Sequence, residues 1–311
     1  MSGRVIKSHQ QKQFVNKLFV VFCVFVTLLS VAALCTLLFT IAKQGWHHLD
    51  LDFLTSYASR KPEKAGVKAA MWGTVWLCVV CIVTALPIGV ATAVYLEEFA
   101  PKNRITRFIE LNIANLAGVP SIVYGIIGLT VFARMLGLFG TMNHPLVDTG
   151  NPTSFWYFRL PFGSSVLVGG LTLALVVLPI VIVSAREAVR AVPQSLREAS
   201  LAMGATRWET VRRVVLPQST PGILTGAILA TSRAIGEAAP ILVIGGFLFI
   251  RFVPANVFDD FTAMPLQIYN WSSRPQEEFH AVAATGIIVL LVVLLCFNGA
   301  AALIRYRFQR R

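Results

Sequence analysis

Six apolar stretches, residues 18–42, 69–96, 108–133, 164–185, 223–249 and 281–303, leave this chain few ways to fold. Each matches or exceeds the roughly 20 helical residues needed to cross a ~30 Å hydrocarbon core. In lipid, every backbone N–H and C=O must be satisfied within the protein, so each stretch is predicted to be a helix. Composition agrees, since 56% of the residues are hydrophobic and 14% charged, against roughly 25% charged in a soluble domain. The expectation is an all-α integral membrane protein with six transmembrane helices. It forms one membrane domain, with the first helix as a peripheral addition.

A net charge of +12 might suggest nucleic acid, but the cations are sorted by loop. Seventeen of the 27 Lys and Arg residues fall in the N-terminal tail, the second and fourth connections and the C-terminal tail. Cytoplasmic loops carry such an excess, so both termini and the fourth connection are expected in the cytoplasm, with no nucleic-acid partner. Trp46, Trp72, Trp156 and Trp271 fall near the opposite face, where interfacial tryptophans anchor. The three outer loops, 43–68, 134–163 and 250–280, read as irregular surface structure; Asn143-His144-Pro145 and Asp148-Thr149-Gly150-Asn151-Pro152 punctuate the second. The first apolar stretch is too long for a cleaved leader and is expected to be retained.

All five cysteines, Cys23, Cys35, Cys78, Cys81 and Cys296, lie in apolar stretches. Cys78-x-x-Cys81 has no nearby His or acid and reads as two small packing residues on one helix face. Pro87, Pro120, Pro179 and Pro240 are expected to kink the second to fifth spans. Gly222-x-x-x-Gly226 is expected to be a close helix-packing face.

Between the fourth and fifth stretches lies a polar island, residues 198–217, EASLAMGATRWETVRRVVLP. Leu196, Ala199, Ser200 and Met203 recur at helical spacing, which predicts a short amphipathic helix over 194–203. Gly204 ends it, because glycine takes a left-handed cap without Cβ strain. Thr206 and Glu209 have capping-box spacing for a second helix, and Pro217 is expected to stop that helix before the fifth span. The product is a helix-turn-helix on the membrane surface that a partner could grip.

Arg233 and Glu237 are the guanidinium and carboxylate placed deepest within an apolar stretch. Arg233 lies ten residues beyond Ile223, about 15 Å along a helix, near the expected midplane. A central arginine costs ~2.5–3.5 kcal/mol even on the lenient insertion scale. An Arg-before-Glu pair at i,i+4 is the less favourable order, and such pairs return only ~0.2–0.5 kcal/mol. Either the two merely neutralise each other, or further partners exist: a water-lined path, another helix or an anion. The planar fork of Arg233 suits a tetrahedral oxyanion, and Glu237 would keep that anion from being trapped. Glu110, Asn112 and Asn115 could line the same path, although interfacial polarity accounts for Glu110 equally well.

Glu198-Ala199-Ser200, Gly204, Val214, Leu216 and Pro217 resemble the EAA---G---------I-LP segment of ABC-importer membrane subunits, with Ser200 in place of Ala and Val214 in place of Ile. Further strings extend the resemblance from about residue 65 to the C-terminus: Tyr95-Leu96-Glu97-Glu98-Phe99-Ala100, Gly118-Val119-Pro120-Ser121-Ile122-Val123-Tyr124-Gly125, Arg233-Ala234-Ile235-Gly236-Glu237-Ala238-Ala239-Pro240 and Gln267-Ile268-Tyr269-Asn270-Trp271. Together they look like the permease subunit of phosphate-specific ABC importers, of the PstA type rather than the PstC type.

That resemblance implies a type I ABC importer permease fold in the inner cell membrane, with both termini cytoplasmic. It divides the chain into 1–64 (tail, first helix and loop), 65–304 (transmembrane domain, with a coupling loop at 186–220) and 305–311 (basic tail). Glu198, Ala199, Ser200, Gly204, Leu216 and Pro217 would hold the ATPase contact, joined by Arg207 or Trp208. Arg233 and Glu237 would lie on the substrate path. The implied partners are a PstC-like permease subunit, an ABC ATPase dimer, a phosphate-binding protein, inorganic phosphate and membrane lipid. No cofactor is expected on this chain. ATP and Mg belong to the ATPase, because no G-x-x-x-x-G-K-[S/T] loop occurs here. No catalytic set or metal site is expected either, since His47, His48, His144 and His280 are scattered without metal spacing. Two alternatives stay open: a permease for another oxyanion, such as sulfate or molybdate, and a scaffold that reports phosphate status to a sensor kinase.

Overall fold

The computed structural model describes residues 2–309 apart from 139, 142–143, 146, 150–157 and 247–248. Asn143, the 150–152 turn, Trp156, Arg310 and Arg311 therefore lie outside the described residues. The chain opens with α1 (Ser2–Gly45), a short α2 (Leu51–Thr55) and α3 (Lys68–Val94), and then α4 (Arg104–Leu116), α5 (Ser121–Ile127) and α6 (Val166–Arg190). The polar island supplies α7 (Gln194–Ala202) and α8 (Arg207–Thr210). After it come α9 (Leu216–Gly236), α10 (Ala239–Ile244), α11 (Met264–Ser272) and α12 (Glu277–Gln309). Among the described residues, five helices are long and apolar enough to cross a membrane, and the bent pair carrying α4 and α5 makes a sixth if it is one span.

The third apolar stretch is broken, with residues 104–116 and 121–133 meeting at 106°. Pro120 explains the break: it caps α5 in an extended conformation (ψ 133°) and steers the preceding Val119 away from helix. The fifth stretch is broken as well. α9 ends at Gly236, Glu237 is extended (φ −80°, ψ 115°) and α10 starts two residues later with Pro240 in its first turn. Proline there lacks the N–H that would continue the α9 ladder. By contrast, Pro87 and Pro179 lie inside the continuous helices α3 and α6.

Pro217 does not stop the helix that begins at Arg207. A π-helical turn, Val211–Val215, carries α8 directly into α9, and Pro217 falls in the first turn of α9. The wider turn shifts the hydrogen-bond register where the proline can donate nothing.

The core is built where α3, α6 and α9 meet. Leu77, Cys81 and Ala85 pack against Leu173, Val177, Val181, Ala230 and Ala234. Cys78 is buried on the same helix as Cys81. Small residues permit the approach of α9 to α6: a Cβ on Gly226 would lie 2.1 Å from Ser184 Oγ, and one on Gly222 would lie 2.6 Å from Ala188 Cβ. The Gly222-x-x-x-Gly226 face is thus a packing face. α1 packs along α12, and its large apolar side chains from Leu18 to Phe39 are exposed, as in a peripheral helix.

A second cluster forms at the end of α3 opposite the polar island. Phe53 of α2, Val67, Met264 and Trp271 of α11, and Phe279 of α12 are all buried in it, and the Phe53 and Trp271 rings lie 5.9 Å apart. Trp271 is therefore a core residue and not an interfacial anchor, whereas Trp46 and Trp72 are exposed. These outer loops are not simply irregular, because α2 and α11 fold back onto the bundle to cover apolar side chains. In the middle outer loop, Gly140–Thr141 pairs antiparallel with His144–Pro145, and Val147–Asp148 with Arg159–Leu160.

Candidate functional site

The polar island folds as two helices joined by a turn whose geometry its residues dictate. Gly204 takes φ +85°, Ala205 N–H donates to Ser200 O at 3.2 Å, and Gly204 N–H donates to Leu201 O at 3.0 Å. That is a Schellman closure of α7. Thr206 and Glu209 then form the full capping box of α8, with Thr206 N–H on Glu209 Oε2 at 2.8 Å. Ser200 and Thr210 hydroxyls meet at 2.9 Å and tie the two helices together. Between them opens a cleft of about 600 Å³ lined by Leu196, Ala199, Ser200, Met203, Gly204 and Arg213, among others.

The surface so presented is amphipathic. Leu201, Met203 and Trp208 are exposed. Glu198 is also exposed and makes no ion pair with any described residue. Leu216 packs inward against Val90 and the buried Val94 and Val215, and Pro217 is exposed. Trp208 also lies 6.4 Å from the Phe99 ring, so one of its sides belongs to the bundle.

An ion-pair network behind this surface was not legible in the sequence. The π-helical turn Tyr95–Phe99, which follows α3, presents Glu97 and Glu98. Arg186 of α6 holds Glu97 at 2.7 Å and Glu110 of α4 at 2.8 Å, and Arg190 reaches Glu97 at 2.9 Å. Arg197 of α7 grips Glu98 at 2.9 Å and donates to the carbonyls of Val189 and Val192 at the end of α6. Glu110 thus belongs to this network, with a third of its side chain still exposed. Asn112 bonds Phe108 O, its own helix backbone.

Arg233 and Glu237 do pair, with Arg233 Nε donating to Glu237 Oε1 at 3.1 Å. Arg233 lies in the last turn of α9 and Glu237 in the break after it. A cation at a helix C-terminus is favoured by the backbone dipole, which offsets part of its cost. The side chain of Arg233 is 48% exposed and that of Glu237 17%. Among the described residues, no acceptor engages either terminal nitrogen of Arg233. The half-exposed guanidinium thus keeps two parallel donors unengaged by the described residues.

Residues 85–310 match the family described as binding-protein-dependent transport system inner membrane component. The chain belongs to that family. It is 31% identical over 284 residues to the probable ABC transporter permease protein YqgI of Bacillus subtilis, covering 87% of this chain and 88% of that one. It is 33% identical over 280 residues to the phosphate transport system permease protein PstA 1 of Mycobacterium tuberculosis, covering 88% and 83%. Among solved structures, a chain of a bacterial alginate ABC transporter superposes with a TM-score of 0.61 at 14% identity, over 90% of this chain and 92% of that one. A chain of the inward-facing MetNI methionine ABC transporter gives 0.53 at 18%, over 78% and 95%. The fold of this multi-pass membrane permease is thus the type I ABC importer fold.

Proposed function

We propose that this chain is the permease subunit of an ATP-driven importer of inorganic phosphate, forming one half of the translocation pathway. The observation that carries the reading is Arg233, half exposed at the break between α9 and α10 and engaged by Glu237 through Nε alone. A fork with two free parallel donors suits a tetrahedral oxyanion. The adjacent carboxylate limits how tightly the anion is held, so that it passes. The phosphate assignment is supported by the likeness to permeases named for phosphate transport.

Because Arg233 is half exposed in this chain, the second wall of the path would come from another subunit, for which a PstC-like permease is the natural candidate. The helix-turn-helix formed by α7 and α8 would dock an ABC ATPase dimer, with the unpaired Glu198 and the exposed Leu201 and Met203 as contacts and Gly204 setting the angle. That ATPase would bind ATP and Mg and perform the hydrolysis; this chain would bind no cofactor and catalyse nothing. Both termini and the coupling loop would be cytoplasmic, in keeping with their excess of Lys and Arg. A phosphate-binding protein would deliver substrate to the opposite face. In the domain division that goes with this reading, residues 65–304 form the transmembrane domain.

The test is ATP-dependent uptake of radiolabelled phosphate by the complete complex in vesicles, with unlabelled phosphate, sulfate or molybdate as competitor. Competition by phosphate alone is the expected result. Competition by sulfate or molybdate at equal concentration would move the assignment to another oxyanion. Absence of uptake by a complex that still controls a sensor kinase would make the chain a signalling scaffold.

A further inference from the structure

Resting on the reading of α7 as the ATPase contact, we infer that the ion pairs behind it form a strut that carries the displacement of α7 to the bent α4–α5 pair. Arg186, Arg197, Glu97, Glu98 and Glu110 would then be positioning residues for transport. The strut has no gap. Arg197 fixes α7 to Glu98 through two nitrogens, Nε at 3.0 Å and Nη2 at 2.9 Å. Glu97 is the next residue of the same π-helical turn. Arg186 holds Glu97 through Nε at 2.8 Å and Nη2 at 2.7 Å, and the same Nη2 reaches Glu110 at 2.8 Å. Glu110 lies on α4, one turn and a half before the 106° bend into α5.

Burial and composition support a mechanical rather than a topological role. Charges that serve only to orient a chain need no partners, and Lys102, Arg104 and Arg107 on the same cytoplasmic side form no ion pair among the described residues. Arg186, Arg197, Glu97 and Glu98 are instead only 12 to 16% exposed and joined by short contacts. Arg197 also binds the carbonyls of Val189, in the last turn of α6, and of Val192, just beyond it, so α7 is tied to the end of that helix. α4 has little else to hold it. Ile113 is its one buried residue, packed with Leu96 and Ile182, and its other large apolar side chains are exposed. An element anchored by one ion pair and one side chain moves with its anchor.

The experiment is a double-mutant cycle on the complete complex in proteoliposomes, using Glu110→Gln, Arg197→Gln and the double variant, with Arg104→Gln as a control on the unpaired charge. Co-purification of the partner subunits establishes assembly, and the readout is phosphate moved per ATP hydrolysed. Each single variant is expected to lower that ratio roughly fivefold or more while the complex assembles. Because both break one strut, the double variant should be no worse than the poorer single variant; the control should match wild type. An unchanged ratio in the single variants, or losses that multiply in the double variant, would overturn the proposal. A second readout needs no phosphate: spin labels on Ile126→Cys of α5 and on Ser195→Cys, an exposed residue of α7, in a chain with its five native cysteines replaced. ATP should leave that distance fixed in wild type, where the two elements move together, and change it in Glu110→Gln, where α7 moves alone. If the label distance behaves this way while wild type moves no phosphate, the strut stands and the substrate assignment fails; if ATP changes it equally in both, the strut fails.

Discussion

The left-handed turn at Gly204 offers a perturbation whose size can be worked from backbone geometry alone. Its φ is +85°, and a Cβ built there would meet nothing within 4 Å, so a substitution carries a conformational cost without a clash. For an L-residue that cost is about 1–2 kcal/mol. The loss should appear where the turn is closed, at the amides of Gly204 and Ala205 that bond Leu201 O and Ser200 O. One or two kcal/mol corresponds to roughly 5–30-fold in a local opening equilibrium. Hydrogen exchange measured by mass spectrometry on the purified chain should therefore accelerate by that factor over 200–206 in Gly204→Ala. It should accelerate more in Gly204→Val, and much less in Gly204→Asn, since asparagine tolerates this conformation. ATPase docking should weaken in the same order. Equal exchange in Gly204→Ala and wild type, or an Asn variant as damaged as Ala, would refute the argument that backbone conformation selects glycine here.

Other residues make separate demands. Thr206→Ala removes the cap of α8 and should cost about 1 kcal/mol of local stability, with Thr206→Ala/Glu209→Ala little worse than the single variant in exchange over 206–210, because one box is lost either way. Gly226→Ala places a methyl 2.1 Å from Ser184 Oγ and should lower unfolding stability by about 1–3 kcal/mol; Ser184→Gly should restore part of it, since the next atom, Ser184 Cα, lies 3.8 Å away. Trp271→Ala, in the buried outer cluster, should cost about 3–5 kcal/mol in detergent unfolding, while Trp46→Ala, on the surface, should stay within about 0.5 kcal/mol; similar effects would mean that the outer cluster is not a core.

What could be read in advance was local. Gly204, Thr206 and Glu209 act over a few residues, and the turn and capping box follow from their identities. The Gly222 and Gly226 face was legible for the same reason, as one side of one helix. The breaks in the third and fifth stretches were not, because Pro120 and Pro240 look in sequence like Pro87 and Pro179. Yet Pro87 and Pro179 lie inside continuous helices while Pro120 caps α5 and Pro240 opens α10, a difference set by the surrounding tertiary structure and not by the local sequence. The ion-pair network joins residues 76 to 99 positions apart, so each arginine alone read as a topology charge. Trp271 misled in the same way, as tryptophan suits both an interface and a core, and only the folding of α2 over it decides.

Arg233 remains the residue on which the functional account turns. Uptake of radiolabelled phosphate should be compared in vesicles bearing the complete complex with wild type, Arg233→Gln and Arg233→Lys, after equal assembly and equal ATPase docking are verified. The account predicts that Gln abolishes uptake and that Lys, a point charge without the planar fork, restores only part of it. Normal uptake with Arg233→Gln would contradict the account and reduce Arg233 and Glu237 to an ion pair that closes the end of α9.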